Sequence, residues 1–194
     1  MNDEGLMDVA VVELAVSDAA RPAIQAAMDA IASRGDTSSP AGLVAMLREA
    51  IGVLRVHGGA WTHAAAENAS PMAPAAAEAR FVAAADRARA RFDVEVVRNF
   101  RGVLERRDPP PLAPSEAPGL VVITLIVAAR RALRDAEEPT RAAIEAVLAD
   151  LEGLASADLV ALDVVWSPAD PADRMSAEAM HERYPELFAL SAAP

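Results

Sequence analysis

A 194-residue chain with a formal charge of −11, 53% hydrophobic residues, no cysteine and no lysine excludes several functions before any motif is read. The length fits one domain with a core of its own, and the missing thiols remove cysteine catalysis, cysteine–zinc sites and disulfide frameworks together. Net acidity opposes general binding to a nucleic-acid backbone, which needs a positive field, so no nucleic-acid partner is expected.

The charge is uneven. Twelve of the 18 arginines lie in residues 80–141 against nine acids, while six arginines face 20 acids elsewhere. The opening MNDEGLMDVAVVELAVS carries acids where a secretory signal needs a basic region, so a cytoplasmic protein is expected. Residues 120–129 form the longest apolar run, about half the ~20 residues of a membrane helix, and no membrane span is expected.

In chain order, residues 9–16 alternate around Glu13 and read as a first strand. Ser17 and Asp18 offer an N-cap for a helix carrying Ile24, Ala27, Met28 and Ile31 and ending at Arg34-Gly35. Ser39 and Pro40 supply the cap and first position of a second helix, with Leu43, Leu47, Ile51 and Leu54 as its stripe. Gly58-Gly59 breaks it before Trp61. A third helix is predicted over residues 75–99, with Phe81, Ala85, Ala88, Phe92 and Val96 facing inward.

Residues 105–119 are a proline-rich connector. The run 120–129, apolar on both faces, reads as a second strand covered on both sides. A helix over 139–154 follows, then a third strand, 159–166, with Val160, Leu162, Val164 and Trp166 on one face and Ala161, Asp163 and Val165 on the other. Ser176 caps a last short helix ending near Tyr184-Pro185.

The expected fold is therefore α+β: a single domain, 1–194, with a small three-stranded sheet in the order β-α-α-α-β-α-β-α and a helical insertion over 36–104. The second and third strands form a β-α-β unit, right-handed if they are parallel. Glu13 favours an edge position for the first strand, whereas a split β-α-β arrangement places it in the middle.

Trp166, the Ser167-Pro168 stop, an acidic loop, Ser176 and Tyr184-Pro185-Glu186-Leu187 follow one another at the C-terminal end. That order resembles the signature of the domain of unknown function 1517 family, where a Glu/Asp-Val-Leu-Trp-Thr/Ser-Pro strand precedes an acidic loop, Ser and Tyr-Pro-Asp/Glu-Leu. The segment from Asp36 to Leu43 is similar to the Asp-Thr-Ser-Thr/Ser-Pro-Glu-Gly-Leu start of the family's long helix. Trp61 sits near its helix-end Trp, and Glu78-Ala79-Arg80-Phe81 matches its Glu-Ala-Arg-Phe segment. Glu95, Asn99 and Gly102 echo the acid, Asn and Gly that follow, and residues 121–129 resemble its Val-Val-Thr-Leu-Leu-Val-Ala-Ala strand. The resemblance implies no catalytic residues. Family members often carry a hydrophobic, Gly-rich region ahead of this domain; no such region is read in this sequence, so a membrane tether of the family's own kind is not expected, and a tether through a partner is the alternative.

Candidate sites are few. His57 and His63 are separated by about 240° on a helix and His181 stands alone in sequence, so no metal site and no cofactor are expected. No nucleophile elbow, Walker loop or dinucleotide glycine motif is present. Asp163 is a carboxylate in an apolar strand, either catalytic through a raised pKa or a structural residue that lies on the solvent face or pairs with an arginine. Trp166 reads as a core anchor, and Trp61, beside glycines, as the more exposed tryptophan with a helix-end packing role.

Two surfaces are candidates for partner binding. Arg80, Arg87, Arg91 and Arg98 recur at seven, four and seven residues along the third helix and could meet an acidic partner, including another copy of the chain, unless Asp86, Asp93 and Glu95 quench them. The loop 167–175 with the helix to Tyr184 places Asp170, Asp173 and Arg174 at the end of a strand, where ligands often bind; the competing reading is a tail helix that seals the sheet. The expected function is a non-enzymatic protein-interaction or scaffold domain, with a homo-oligomer among the candidate assemblies. The alternative is a small-molecule-binding or hydrolase-like domain centred on Asp163 and the Arg-rich segment.

Overall fold

A computed structural model describes residues 5–68, 71–91, 97–100, 103–106, 119–136, 138–169 and 174–191, with the backbone alone described for 97–100 and 103–106. Strand β1 (Asp8–Val16) leads through α1 (Arg21–Arg34) and α2 (Pro40–Val56) to a 3-10 turn and β2 (Trp61–Asn68). Then come α3 (Pro74–Arg89), β3 (Val97–Phe100), β4 (Val103–Arg106), β5 (Val121–Ala129), α4 (Arg141–Glu152), β6 (Leu159–Ser167), α5 (Ala177–Arg183) and β7 (Phe188–Ala189).

The class is α+β, but the sheet has five strands rather than three, in the order β6-β5-β1-β2-β7, with every neighbour antiparallel. Residues 36–104, expected as a helical insertion, supply β2 beside the central strand and the separate β3–β4 hairpin as well as two helices. The third helix ends at Arg89, well short of residue 99. Alanine-rich β2 escaped notice because Ala carries no strand preference of its own; it becomes a strand because it pairs along β1 from Ala10 to Val16, with a bulge at Thr62. The connector expected over 105–119 begins later, since Glu105 and Arg106 belong to β4; residues 107–118 lie outside the described residues.

β5 and β6 are antiparallel neighbours, so α4 does not form the parallel crossover that its place between two strands suggests. The reason lies in the segment between β5 and α4. Leu133 stays near the start of β1, where its N–H donates to Asp8 at 2.8 Å and its carbonyl accepts from Asn68. Arg141 then reaches the opposite end of the sheet and donates to the carbonyls of Gly58 and Trp61. This extended stretch makes the climb, α4 makes the descent, and β6 starts again beside the end of β5, with Arg130 N–H donating to Asp158 O at 2.8 Å.

One face of the sheet packs on α1, α2 and α4. Ala10, Val12, Leu14 and Val16 of β1 meet Ile24, Met28, Leu47, Ile51, Leu54, Ile144 and Leu148 there, all buried. The caps of α2 and α5 are those the sequence specifies, with Ser39 accepting from Gly42 N–H and Ser176 from Ala179 N–H. α1 differs: its N-cap is Ala20, without a side-chain bond from Ser17 or Asp18.

Trp61 starts β2 instead of ending a helix and is buried, its Nε1 donating to Leu54 O at 3.0 Å. Trp166 is buried in the same core. A bulge in the β5–β6 ladder turns Val160 to the opposite face from Leu162, Val164 and Trp166, because an inserted residue shifts the alternation by one. No helix among the described residues is long and apolar enough to cross a membrane.

Candidate functional site

The second face of the sheet is covered by two elements that leave a seam. α3 lays Ala77, Ala84, Ala85 and Ala88 over Val9, Val11, Ile126 and Ala128. α5 and the residues after it place Met180, Tyr184 and Leu187 over Ala15, Ala65 and Val122. Side chains alternate along β1, so Glu13 shares this face with Val11 and Ala15 and falls between the two covers. Its cross-strand neighbours are Ala65 and Thr124, small side chains that leave room above the carboxyl.

Arg91, just past the C-cap of α3, fills that room. Its Nη1 donates to Glu13 Oε1 at 2.7 Å and its Nη2 donates to Glu186, while the guanidinium carbon lies 4.2 Å from the centroid of the Tyr184 ring. Thr124 Oγ1 donates to Glu13 at 3.4 Å, and Ser167 hydrogen-bonds the Tyr184 phenol. Burial pushes the Glu13 carboxyl up to about 8, and its hydrogen bond to Glu186 reinforces the shift against the opposing field of Arg91. Glu186 is less deeply buried. Its own desolvation is outweighed by the hydrogen bonds from Glu13 and Arg91, which hold its carboxyl below the ordinary value. At neutral pH Glu13 therefore carries the proton and Glu186 the charge. Burial also raises Tyr184, keeping it the neutral phenol under the arginine.

A proton held between unequal carboxyls is a layout suited to acid–base chemistry. Here it is closed: Glu13 is 4% exposed, and its carboxyl is ringed by Arg91, Glu186 and Thr124. It fastens the end of α3 and the residues after α5 to the middle of the sheet.

The arginine stripe serves the same face. Arg87 pairs with Glu67 of β2 at 3.1 Å, with Arg80 at 3.8 Å from the same carboxylate, and Arg91 enters the seam. All three pair with the protein's own carboxylates, Arg91 within the seam and Arg80 and Arg87 at the solvent-exposed rim; the side chain of Arg98 lies outside the described residues. Asp163 of β6 is paired with Arg89.

The loop 167–175 is anchored at its start, where buried Gln25 donates to Pro168 O at 2.6 Å and receives a bond from Arg21. Asp170 and Asp173 lie outside the described residues, and Arg174 is exposed and engaged in an interaction of its own. Tyr184 is 2% exposed and part of the seal over the sheet, so its phenol is not a surface contact.

Sequence reasoning passed over Glu13 and Glu186 as site residues. Glu13 carried a usable signal, being the one carboxylate inside a Val-rich run with apolar residues on both sides; Glu186, in an ordinary polar tail, carried none. The histidines also depart from expectation. His181, alone in sequence, meets His63 edge to face with ring centroids 5.2 Å apart.

Fold and site together define an α+β domain in which ion-paired arginines close an antiparallel sheet over a buried carboxyl, Glu13, that is hydrogen-bonded to the partly exposed Glu186. The chain belongs to the family described as Protein of unknown function (DUF1517), whose sequence profile matches residues 6–190. It is similar to Protein FLAP1 homolog A of Synechocystis sp. (strain ATCC 27184 / PCC 6803 / Kazusa), with 27% identity over 168 residues, 82% of this chain and 50% of that protein. The chain thus spans about half the length of the curated relative it matches. No solved structure matches it.

Proposed function

We propose that this domain is a non-enzymatic protein-interaction module that engages its partner at the β2–β7 end of the sheet. Phe188 carries the proposal. It is a large apolar side chain left 61% exposed on a strand of only two residues. β7 pairs with His63 and Ala64 alone, and among the described residues no strand continues along β2 from Ala65 to Asn68. An open strand edge offers backbone hydrogen bonds to an added strand, and an adjacent aromatic supplies an anchor. The pairing of Asp163 with Arg89 weighs against the hydrolase-like alternative, because the charge-stabilised carboxylate is engaged in a structural contact.

The partner is a protein offering an extended segment, another copy of this chain included, and a cytoplasmic setting belongs to the same proposal. Phe188→Ser tests it, with chemical cross-linking of the wild-type and variant domains in their native extract. An exposed side chain contributes little to folding, so the variant should melt within a few degrees of wild type. Its cross-linked partners should be lost. Recovery of the same partners at the same yield removes this edge from consideration.

A further inference from the structure

We propose that His63 and His181 form a binding site for a divalent transition-metal ion of the zinc, nickel or copper class. The tertiary structure brings these two of the chain's three histidines together from separate elements, β2 and α5.

The hydrogen bonds around each ring decide which nitrogen is free. His181 Nδ1 lies 2.6 Å from the carbonyl of Ala177, an acceptor only, so Nδ1 carries the proton and Nε2 keeps its lone pair. His63 Nδ1 lies 3.1 Å from Thr62 Oγ1. The Thr62 hydroxyl already donates its single proton to Ala15 O at 3.2 Å, so its oxygen accepts from His63 Nδ1–H. Both imidazoles therefore present Nε2 as the unprotonated atom. A carbonyl or hydroxyl on the second nitrogen is the support that metal-bound histidines use to hold tautomer and ring orientation.

The spacing agrees. With a metal–nitrogen bond of about 2.0–2.1 Å and a ring centroid about 1.2 Å behind the nitrogen, two imidazoles on one tetrahedral ion stand about 5.2 Å apart, centroid to centroid. The two rings are separated by 5.2 Å. The exposed His181 leaves the ion open to solvent on one side.

Imidazole ligands suit zinc, copper and nickel and give little to magnesium or calcium. Among the described residues no third His, Cys, Asp or Glu stands close enough to complete a group of three ligands, so water fills the remaining positions. This is a two-histidine site with open coordination, weaker than a closed four-ligand zinc site. Its effect on the fold is to clip α5 to β2, beside the two-residue pairing of β7.

The test uses the full chain, washed with chelator, and titrated calorimetrically with nickel, zinc and copper salts, magnesium serving as control. One ion should bind per chain, and it should raise the melting temperature. Loss of a residue that merely supports a metal ligand costs about 10–100-fold in affinity, so His63→Ala and His181→Ala should each lose at least about tenfold. His57→Ala should bind as wild type. His181 is exposed, so its substitution tests the site even if His63→Ala folds poorly. Failure of all three ions to bind, a loss below tenfold in His181→Ala, or an equal loss in His57→Ala overturns the proposal. Magnesium binding that matches the three ions does so as well. Phe188→Ser leaves both ligands in place, so the two proposals fail separately.

Discussion

Glu13→Gln should abolish a fall in stability that the wild-type protein undergoes between pH 4.5 and about 8. The carboxyl is pushed up to about 8 in the folded chain from an ordinary value of 4.5, so across that window the folded state holds a proton that the unfolded state has released. Stability then decreases as pH rises, by at most about 1.4 kcal/mol per pH unit, because the unfolded state binds fewer protons. Over the whole window the ceiling is about 5 kcal/mol, and relaxation around the ionised carboxylate brings the working expectation to about 2–4 kcal/mol. Glu186 acts elsewhere: its lowered pKa contributes stability that is present above 4.5 and lost as pH falls through its folded value. The lowered pKa of His63 acts below 6.5 in both proteins and cancels in their difference. Glutamine keeps the shape, can donate to Glu186 as the protonated carboxyl does, and can accept from Arg91, but it does not ionise. Urea unfolding at half-unit steps from pH 5 to 9 measures the effect. Wild type and variant should have nearly equal stability at pH 5 and diverge above it, the variant becoming the more stable. Parallel curves, within about 0.5 kcal/mol throughout, would refute the assignment of the proton to Glu13.

Trp166→Ala should cost about 3–5 kcal/mol, the range for truncating an aromatic within a core, since Trp166 is buried against the cluster beneath α1, α2 and α4; an unchanged melting temperature would contradict that packing. Arg87→Ala should cost no more than about 1 kcal/mol, because its pair with Glu67 is half exposed on both sides and screened by water. A loss beyond about 2 kcal/mol in the same urea assay would show that the outer arginines carry the α3–sheet contact.

Local chemistry was readable wherever it was self-contained. The Ser39-Pro40 start of α2 and the Ser176 cap of α5 are decided within four residues, and the structure has both. The Val-rich runs of β1 and β5 and the stripe of α2 also follow from period alone. β2 was not readable, because WTHAAAEN has neither a strand's composition nor clear alternation, and its conformation comes from pairing along β1. The direction of β6 was equally hidden. It depends on whether the residues before α4 stay at one end of the sheet or climb it, which the contacts of Leu133 and Arg141 decide.

The same division runs through the candidate site. From sequence, the arginine periodicity of α3 was visible, as were Glu13 within β1 and Asp163 within β6, but neither the stripe nor the carboxylates named their partners. Packing α3 on one half of the sheet and α5 on the other gave Arg89 to Asp163, Arg87 to Glu67, and Arg91 to Glu13 and Glu186 together. It also joined His63 to His181 across more than a hundred residues of chain. Helical period and the caps of α2 and α5 arise from neighbours within a turn, so the sequence alone determines them. Buried charge pairs and shared protons depend on which distant groups exclude water from one another, and only the tertiary structure decides that.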